Sequence, residues 1–260
     1  MKTTFCIIVA SLLSLTISAE VTNTGKRTRP PRRPYTPSGG IVEKKYTGNV
    51  LRIINTQDII SADKVQQIAQ EMRWQALLPF EVMTKNMLAG ESPMKIATDS
   101  VNVNNVGAIV LVINEETLPI VLTAPEQRWT ILNINSIKTD AKSIEKIEER
   151  FTKLLWIAIG RTLGAGYSSY KPCVMAPFKD IVGLDNNPAK KPCPEPFNKM
   201  IDTGAAYGIK TINIASYRKA CQEGWAPAPT NDIQKAIWDK VHAMPTAPIK
   251  IKPETKKVRE

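Results

Sequence analysis

The sequence predicts an α/β domain with a mixed, twisted sheet and two helices, followed by an irregular, Pro-rich half that carries further helices. Three observations lead there. Residues 106–114 (VGAIVLVIN) form an unbroken apolar run rich in branched side chains, the pattern of a strand buried on both faces. Around that run, a strand, a helix, further strands and one long amphipathic helix follow in an order that stacks helices on a sheet. After Gly164, proline and glycine become dense and the regular periodicity stops.

In chain order, residues 50–55 read as a strand. Ser61 is placed to cap a helix running to about Trp74, in which Val65, Ile68, Ala69 and Met72 recur at helical spacing. Residues 79–84 offer a second strand, and the polar interval with Gly90 and Pro93 receives no assignment. Residues 118–123 and 128–134 follow as two more strands. Pro119 and Pro125 bound the first of these, which suits an edge, because proline cannot donate to a ladder. Asp140 is expected to cap the long helix to about Leu163, with Ile144, Ile147, Phe151, Leu154, Leu155 and Ala158 as its buried stripe and Gly164 as its end. After Gly164 helices are expected only at residues 216–223 and 232–244, the second with Ile233, Ala236, Ile237, Val241 and Met244 as its apolar face. Trp225 and Trp238 are expected to anchor this half on the domain.

Residues 1–19 read as a signal peptide. Lys2 supplies the positive start, Phe5, Ile7, Ile8, Val9, Leu12, Leu13 and Leu15 the apolar core, and Ser18 and Ala19 a cut before Glu20. That core is shorter than a membrane span, and no later segment is apolar enough, so a secreted or periplasmic product with no transmembrane segment is expected. Residues 20–45 form a basic, Pro-rich leader that cannot bury enough surface to offset its ordering entropy, and are read as disordered. The folded domain is placed at residues 46–250 and a charged tail at 251–260. The net charge is +11, and much of it sits in the tails, as with Lys26, Arg27, Arg29, Arg32 and Arg33. A nucleic-acid-binding domain would instead line one folded surface with charge, so no nucleic-acid partner is expected. Such tails meet anionic envelope polymers or lipids, or serve only as solvated extensions. Beyond the signal peptide, Cys173, Cys193 and Cys221 are an odd count, which in an oxidising compartment implies one disulfide and one leftover thiol.

Residues 157–175 read IAIGRTLGAGYSSYKPCVM: a helix end, a glycine-rich turn, then Cys173, Val174 and Met175. On Thr162, Leu163, Gly164, Gly166 and Met175, this stretch resembles the zinc-binding helix and methionine-bearing turn of metzincin-type metalloproteases, archaemetzincins in particular. In that family two histidines four residues apart on a helix, and a third beyond the helix-ending glycine, hold zinc beside a general-base glutamate. The corresponding ligand positions here are Ile157, Arg161 and Tyr167, and the glutamate position is Ala158. Gly164 and Met175 retain the parts that shape the backbone. Ile157 cannot bind a metal and Arg161 would repel one, so the resemblance implies the scaffold without the peptidase, and no metal or cofactor. The family's second, structural zinc sits on four cysteines. Cys173 and Cys193 match two of those positions, Ser168 and Pro196 replace the others, and a Cys173–Cys193 disulfide is the expected substitute.

The function so implied is an exported, non-catalytic metzincin-like domain that binds a peptide, protein or envelope component through the former substrate cleft. Leu118, Ile120, Val121 and Leu122 would be the edge that pairs with a peptide backbone. Arg161 and Tyr167 would either hold a carboxylate or only fill the vacated metal position, with Arg161 paired to an internal acid. Two alternatives stay open: a structural envelope protein, or a hydrolase of unrecognised chemistry such as a Cys221–His242 dyad. The stretch CQEGWAPAPTNDIQKAIWDKVHAMP is similar to the C-terminal ends of uncharacterised secreted bacterial proteins and names no activity.

Overall fold

The computed structural model describes residues 39–88 and 90–243. The expected signal peptide, the leader up to residue 38, Met244 and the 251–260 tail lie outside the described residues. Among the described residues there are seven strands: β1 (Ile41–Glu43), β2 (Val50–Asn55), β3 (Phe80–Thr84), β4 (Val106–Ile113), β5 (Val121–Ala124), β6 (Trp129–Asn133) and β7 (Ile214–Ser216). The helices are α1 (Ala62–Ala76), α2 (Pro93–Val101), α3 (Ile144–Thr162), α4 (Ile181–Asn186), α5 (Pro194–Ala206), α6 (Tyr217–Gln222) and α7 (Asp232–His242). None of them is long and apolar enough to cross a membrane.

The main sheet has the order β3-β2-β4-β6-β5, with β5 antiparallel to β6 and every other pair parallel. β4 is buried at all eight positions, as its unbroken apolar run requires. Alternation splits its side chains between two cores. Ala108, Val110 and Val112 pack with α1 and α3, while Ile109, Leu111 and Ile113 pack with α2 on the opposite face.

α1 begins where expected. The Ser61 side chain accepts from the Lys64 amide, and Val65, Ile68, Ala69 and Met72 are buried. α2 fills the interval left without assignment: Pro93 is at the start of the helix, where its missing N–H costs nothing. The sheet region therefore carries three helices instead of two. Asp140 does not cap α3. It occupies the left-handed region at φ 52°, and the Ser143 hydroxyl accepts from the Lys146 amide instead. Ile144, moved to the first turn of the helix, is exposed, while Phe151, Leu154, Leu155 and Ala158 are buried. The strand expected at 118–123 is shorter, beginning at Val121, because Asn133 Nδ2 donates to the Leu118 carbonyl and holds that residue in a turn.

The expected leader ends earlier than residue 45. Ile41–Glu43 pairs antiparallel with Ile214–Ser216, and Glu43 forms an ion pair with Arg73 of α1. A separate small core lies here, made of Tyr217, Cys221 and Ile237 with Val42, Trp238 and Val241 against it. The face of α7 also differs from the expected stripe. Ile233 and Ala236 are exposed, and Gln234 is buried instead, with its Nε2 donating to the Gly39 carbonyl at 2.9 Å. Periodicity alone misplaces that face, because a buried glutamine satisfied by backbone is invisible to an apolar count.

Candidate functional site

The site expected from the sequence lies at the exit of α3. Ile157 and Ala158 are fully buried in the core shared by α1, α3 and the sheet. The helix closes with the Gly164 amide donating to the Arg161 carbonyl at 3.2 Å and the Ala165 amide to the Gly160 carbonyl at 2.8 Å. This pair of bonds requires a left-handed residue after the cap, and Gly164 supplies it at φ 72°.

The turn then comes back under the helix. The Ser168 amide donates to the Met175 carbonyl at 2.9 Å, and Met175 is fully buried. A Cβ at Gly160 would lie 2.7 Å from Met175 Cε and 2.8 Å from its Sδ. Met175 therefore seats directly on the backbone of α3, and Gly160 is the residue that lets it. The sequence reading missed Gly160, although a glycine inside an amphipathic helix signals a close approach.

Arg161 and Tyr167 do come together. The guanidinium carbon stands 5.0 Å from the centroid of the Tyr167 ring. The internal acid expected as one possible partner for Arg161 is not used, because no described carboxylate forms an ion pair with it. Zinc does not fit this set. Ile157 and Ala158 carry no donor atom, Arg161 is a cation, and the Tyr167 ring faces that cation. Among the described residues no cluster of three His, Cys, Asp or Glu has metal-holding geometry.

Ser168, Cys173 and Cys193 also converge. The Cys193 amide donates to Cys173 Sγ at 3.0 Å, and Ser168 Oγ lies 3.4 Å from Cys193 Sγ. Pro196, the fourth position of the implied set, follows in the first turn of α5 and is buried. Both cysteines are free thiols here. Burial, with Cys173 beside it, pushes the Cys193 thiol above its ordinary range.

A buried ionic anchor holds the segment beneath. Arg150, in the N-terminal half of α3, is only 3 % exposed. It donates to Asp185 Oδ2 at 2.7 Å and to the carbonyls of Ile137 and Thr139 at 2.8 and 2.6 Å. Lys153 Nζ donates to the Asn187 carbonyl at 2.7 Å and pairs with Glu149 at 3.1 Å. The Arg150 guanidinium holds the Asp185 carboxyl below the usual carboxylate range, and Lys153 does the same for Glu149. α4 is thereby tied to α3, and Asn187 Nδ2 passes the tie on to the Cys173 carbonyl at 2.8 Å. Nothing in the apolar periodicity marks Arg150 or Lys153 as interior.

β5 lies at one edge of the sheet, where Pro119 and Pro125 placed it. The Asn133 amide donates to the Ile120 carbonyl at 2.8 Å, which sets the alternation along the pair. The N–H and C=O groups of Val121 and Thr123 therefore face away from β6. Among the described residues no strand pairs with that outer side. Ile120 and Val121 pack on the α3 side of the sheet, and Leu118 and Leu122 on the α2 side.

Cys221 and His242 form no dyad. Cys221 is buried with Tyr217 and Ile237, and burial raises its thiol pKa, the reverse of what a nucleophile needs. His242 stacks on Trp238 at 4.2 Å between ring centroids, and its Nδ1 is 2.8 Å from the Trp238 carbonyl.

No protein-family model and no curated protein matches the chain. Three solved structures are similar to it. Archaemetzincin from Archaeoglobus fulgidus, crystallised with malonate, is 14 % identical over 57 % of this chain and 98 % of its own, with a TM-score of 0.44. A zinc-dependent peptidase from Methanocorpusculum labreanum is 13 % identical over 58 % of this chain and 99 % of its own, with a TM-score of 0.47. Archaemetzincin from Methanopyrus kandleri is 15 % identical over 60 % of this chain and 94 % of its own, with a TM-score of 0.44. The chain is thus a mixed α/β domain with a likeness to these peptidase structures that spans a little over half its length.

Proposed function

We propose that this chain is an exported, non-catalytic, metzincin-like domain that binds an extended peptide or protein segment by adding it as a strand to β5. The observation that carries the reading is the outer side of β5, where the backbone groups of Val121 and Thr123 have no strand partner among the described residues. An antiparallel neighbour there needs no metal, since main-chain hydrogen bonds supply the affinity. Arg161, half-buried and without an acidic partner among the described residues, is suited to hold a carboxylate of the bound segment, with the Tyr167 ring keeping the guanidinium in place. The absence of a zinc ligand at Ile157 and Arg161 and of a general base at Ala158 supports a binding role over hydrolysis. In an oxidising compartment Cys173 and Cys193 would close a bridge that stiffens the turn carrying Tyr167.

Calorimetric titration with a broad library of extended peptides tests the reading. Saturable binding is expected, and it should disappear when alternate amides of the best peptide are N-methylated, because those amides would face β5. Undiminished binding of the N-methylated peptide would rule out strand addition. Zinc-dependent cleavage of any peptide in the library would overturn the non-catalytic assignment.

A further inference from the structure

A second surface, built by the loop after β1 and the loop after α5, carries charge of one sign. Lys44, Lys45 and Lys210 line a concavity of about 560 Å³ together with Tyr46, Thr47, Asn49, Thr211 and Asn213, and no carboxylate lines it. None of the three lysines takes part in an ion pair among the described residues. The neighbouring Glu43 is occupied by Arg73.

The two loops are tied to each other by their own backbone. The Lys44 amide donates to the Asn213 carbonyl at 2.9 Å, and the Asn49 amide to the Gly208 carbonyl at 3.2 Å. The Tyr46 hydroxyl sits between them, donating to the Asn49 carbonyl at 2.8 Å and accepting from the Lys210 amide at 2.9 Å. Asn49 Nδ2 donates to the Tyr207 carbonyl at 2.9 Å. The lysine stems are thus mounted on a braced frame, which lowers the entropy lost when they converge on a ligand.

We propose that this concavity binds a phosphate-bearing polymer, with Lys44, Lys45 and Lys210 each neutralising one oxyanion and Thr47 and Thr211 donating to the phosphate oxygens. Three lysines lining one concavity, none of them ion-paired among the described residues, favour a multiply charged anion over a single carboxylate. A soluble polymer is favoured over a bilayer, because the site is concave and no aliphatic side chain lines it to enter a membrane. This site shares no residue with β5 or with the Arg161–Tyr167 pair, so it stands or falls separately from peptide binding.

The probe is inorganic polyphosphate, titrated against the full chain across a salt series. K44Q/K45Q/K210Q is compared with a charge-matched control, K138Q/K142Q/K179Q, whose lysines are exposed elsewhere. For a flexible single-stranded polyanion, three lost contacts should reduce the salt slope by about 2 and the affinity at 0.1 M salt by about 100-fold. The control should keep the parent slope. Equal losses in both triple variants would mean diffuse charge and would overturn the proposal, as would parental affinity in K44Q/K45Q/K210Q or no binding at all. A parallel titration with anionic phospholipid vesicles separates the sources. Lysine-dependent binding to vesicles but not to polyphosphate would make the surface a membrane contact and refute the polymer.

Discussion

Replacing Arg150 with methionine is expected to destabilise the domain by about 3 kcal/mol near neutral pH. The side chain is 4 % exposed and makes a charge-assisted pair with Asp185 as well as two bonds to the carbonyls of Ile137 and Thr139. Removing one member of a fully buried pair costs ~3–5 kcal/mol. Asp185 is 21 % exposed and keeps Lys146 at 3.0 Å, which places the value at the low end. About 1 kcal/mol for each abandoned carbonyl is contained in that figure. Methionine replaces the aliphatic stem, so the loss reports the guanidinium and not a cavity.

The pH dependence gives a second handle. Hydrogen bonding to Arg150 is the first cause of the lowered Asp185 pKa. A carboxyl depressed in the folded state contributes stability that is fully present above its unfolded pKa of about 3.9 and is lost as pH falls through the lower folded value. The parent-minus-variant difference should therefore be flat from neutral pH to about 5 and shrink below about 4 towards the carbonyl share. Urea unfolding of both proteins across that range, with matching m-values, measures it. A loss under ~1 kcal/mol at neutral pH, or a loss that stays constant down to acid, would refute the account of Arg150 as a buried, Asp185-paired anchor.

Gly160→Ala gains up to about 1 kcal/mol of helix propensity but presses on Met175, and overpacking of this kind costs ~1–3 kcal/mol, so a net loss is expected. The loss should vanish in a Met175→Ala background; if it persists there, the Gly160–Met175 contact is not its cause. Arg161→Ala removes one partly exposed cation–π contact and should cost under ~1 kcal/mol in thermal unfolding while weakening peptide binding. Unfolding of that variant would show that Arg161 fills a hole instead of serving a ligand. Peptide mapping after air oxidation should recover Cys173 joined to Cys193, and finding both alkylatable would remove the bridge. Cys221, buried and with a raised pKa, should resist alkylation until the chain is denatured, and native-state labelling at a free-thiol rate would contradict its placement.

Most of the sheet was legible because its signals are local. A run such as 106–113, apolar throughout and rich in branched side chains, suits a strand buried on both faces, and the prolines at 119 and 125 that flank β5 suit an edge. Ser61 and Gly164 likewise mark helix ends through their own chemistry. α2, α4 and α5 were not legible: α2 and α5 each begin at a proline that also reads as a breaker, and α4 is only six residues long. The Asp140 cap failed for a related reason. Asp140 and Ser143 are both competent caps, and only the turn that puts Asp140 at positive φ selects Ser143.

By itself the sequence determined which side chains stand at the exit of α3: no order of folding gives Ile157 or Ala158 a polar side-chain atom. It also determined the edge strand and the helix stop. Tertiary structure alone decided where charge goes. Arg150 and Lys153 became interior because Asp185 and the carbonyls of Asn187, Ile137 and Thr139 come from separate segments to meet them. Lys44, Lys45 and Lys210 became one surface because Tyr46 and Asn49 bind a loop more than a hundred and fifty residues away. A buried cation is tolerable only when its partners are in place, and a cluster of cations exists only when the chain brings distant lysines together; neither condition is written in local periodicity.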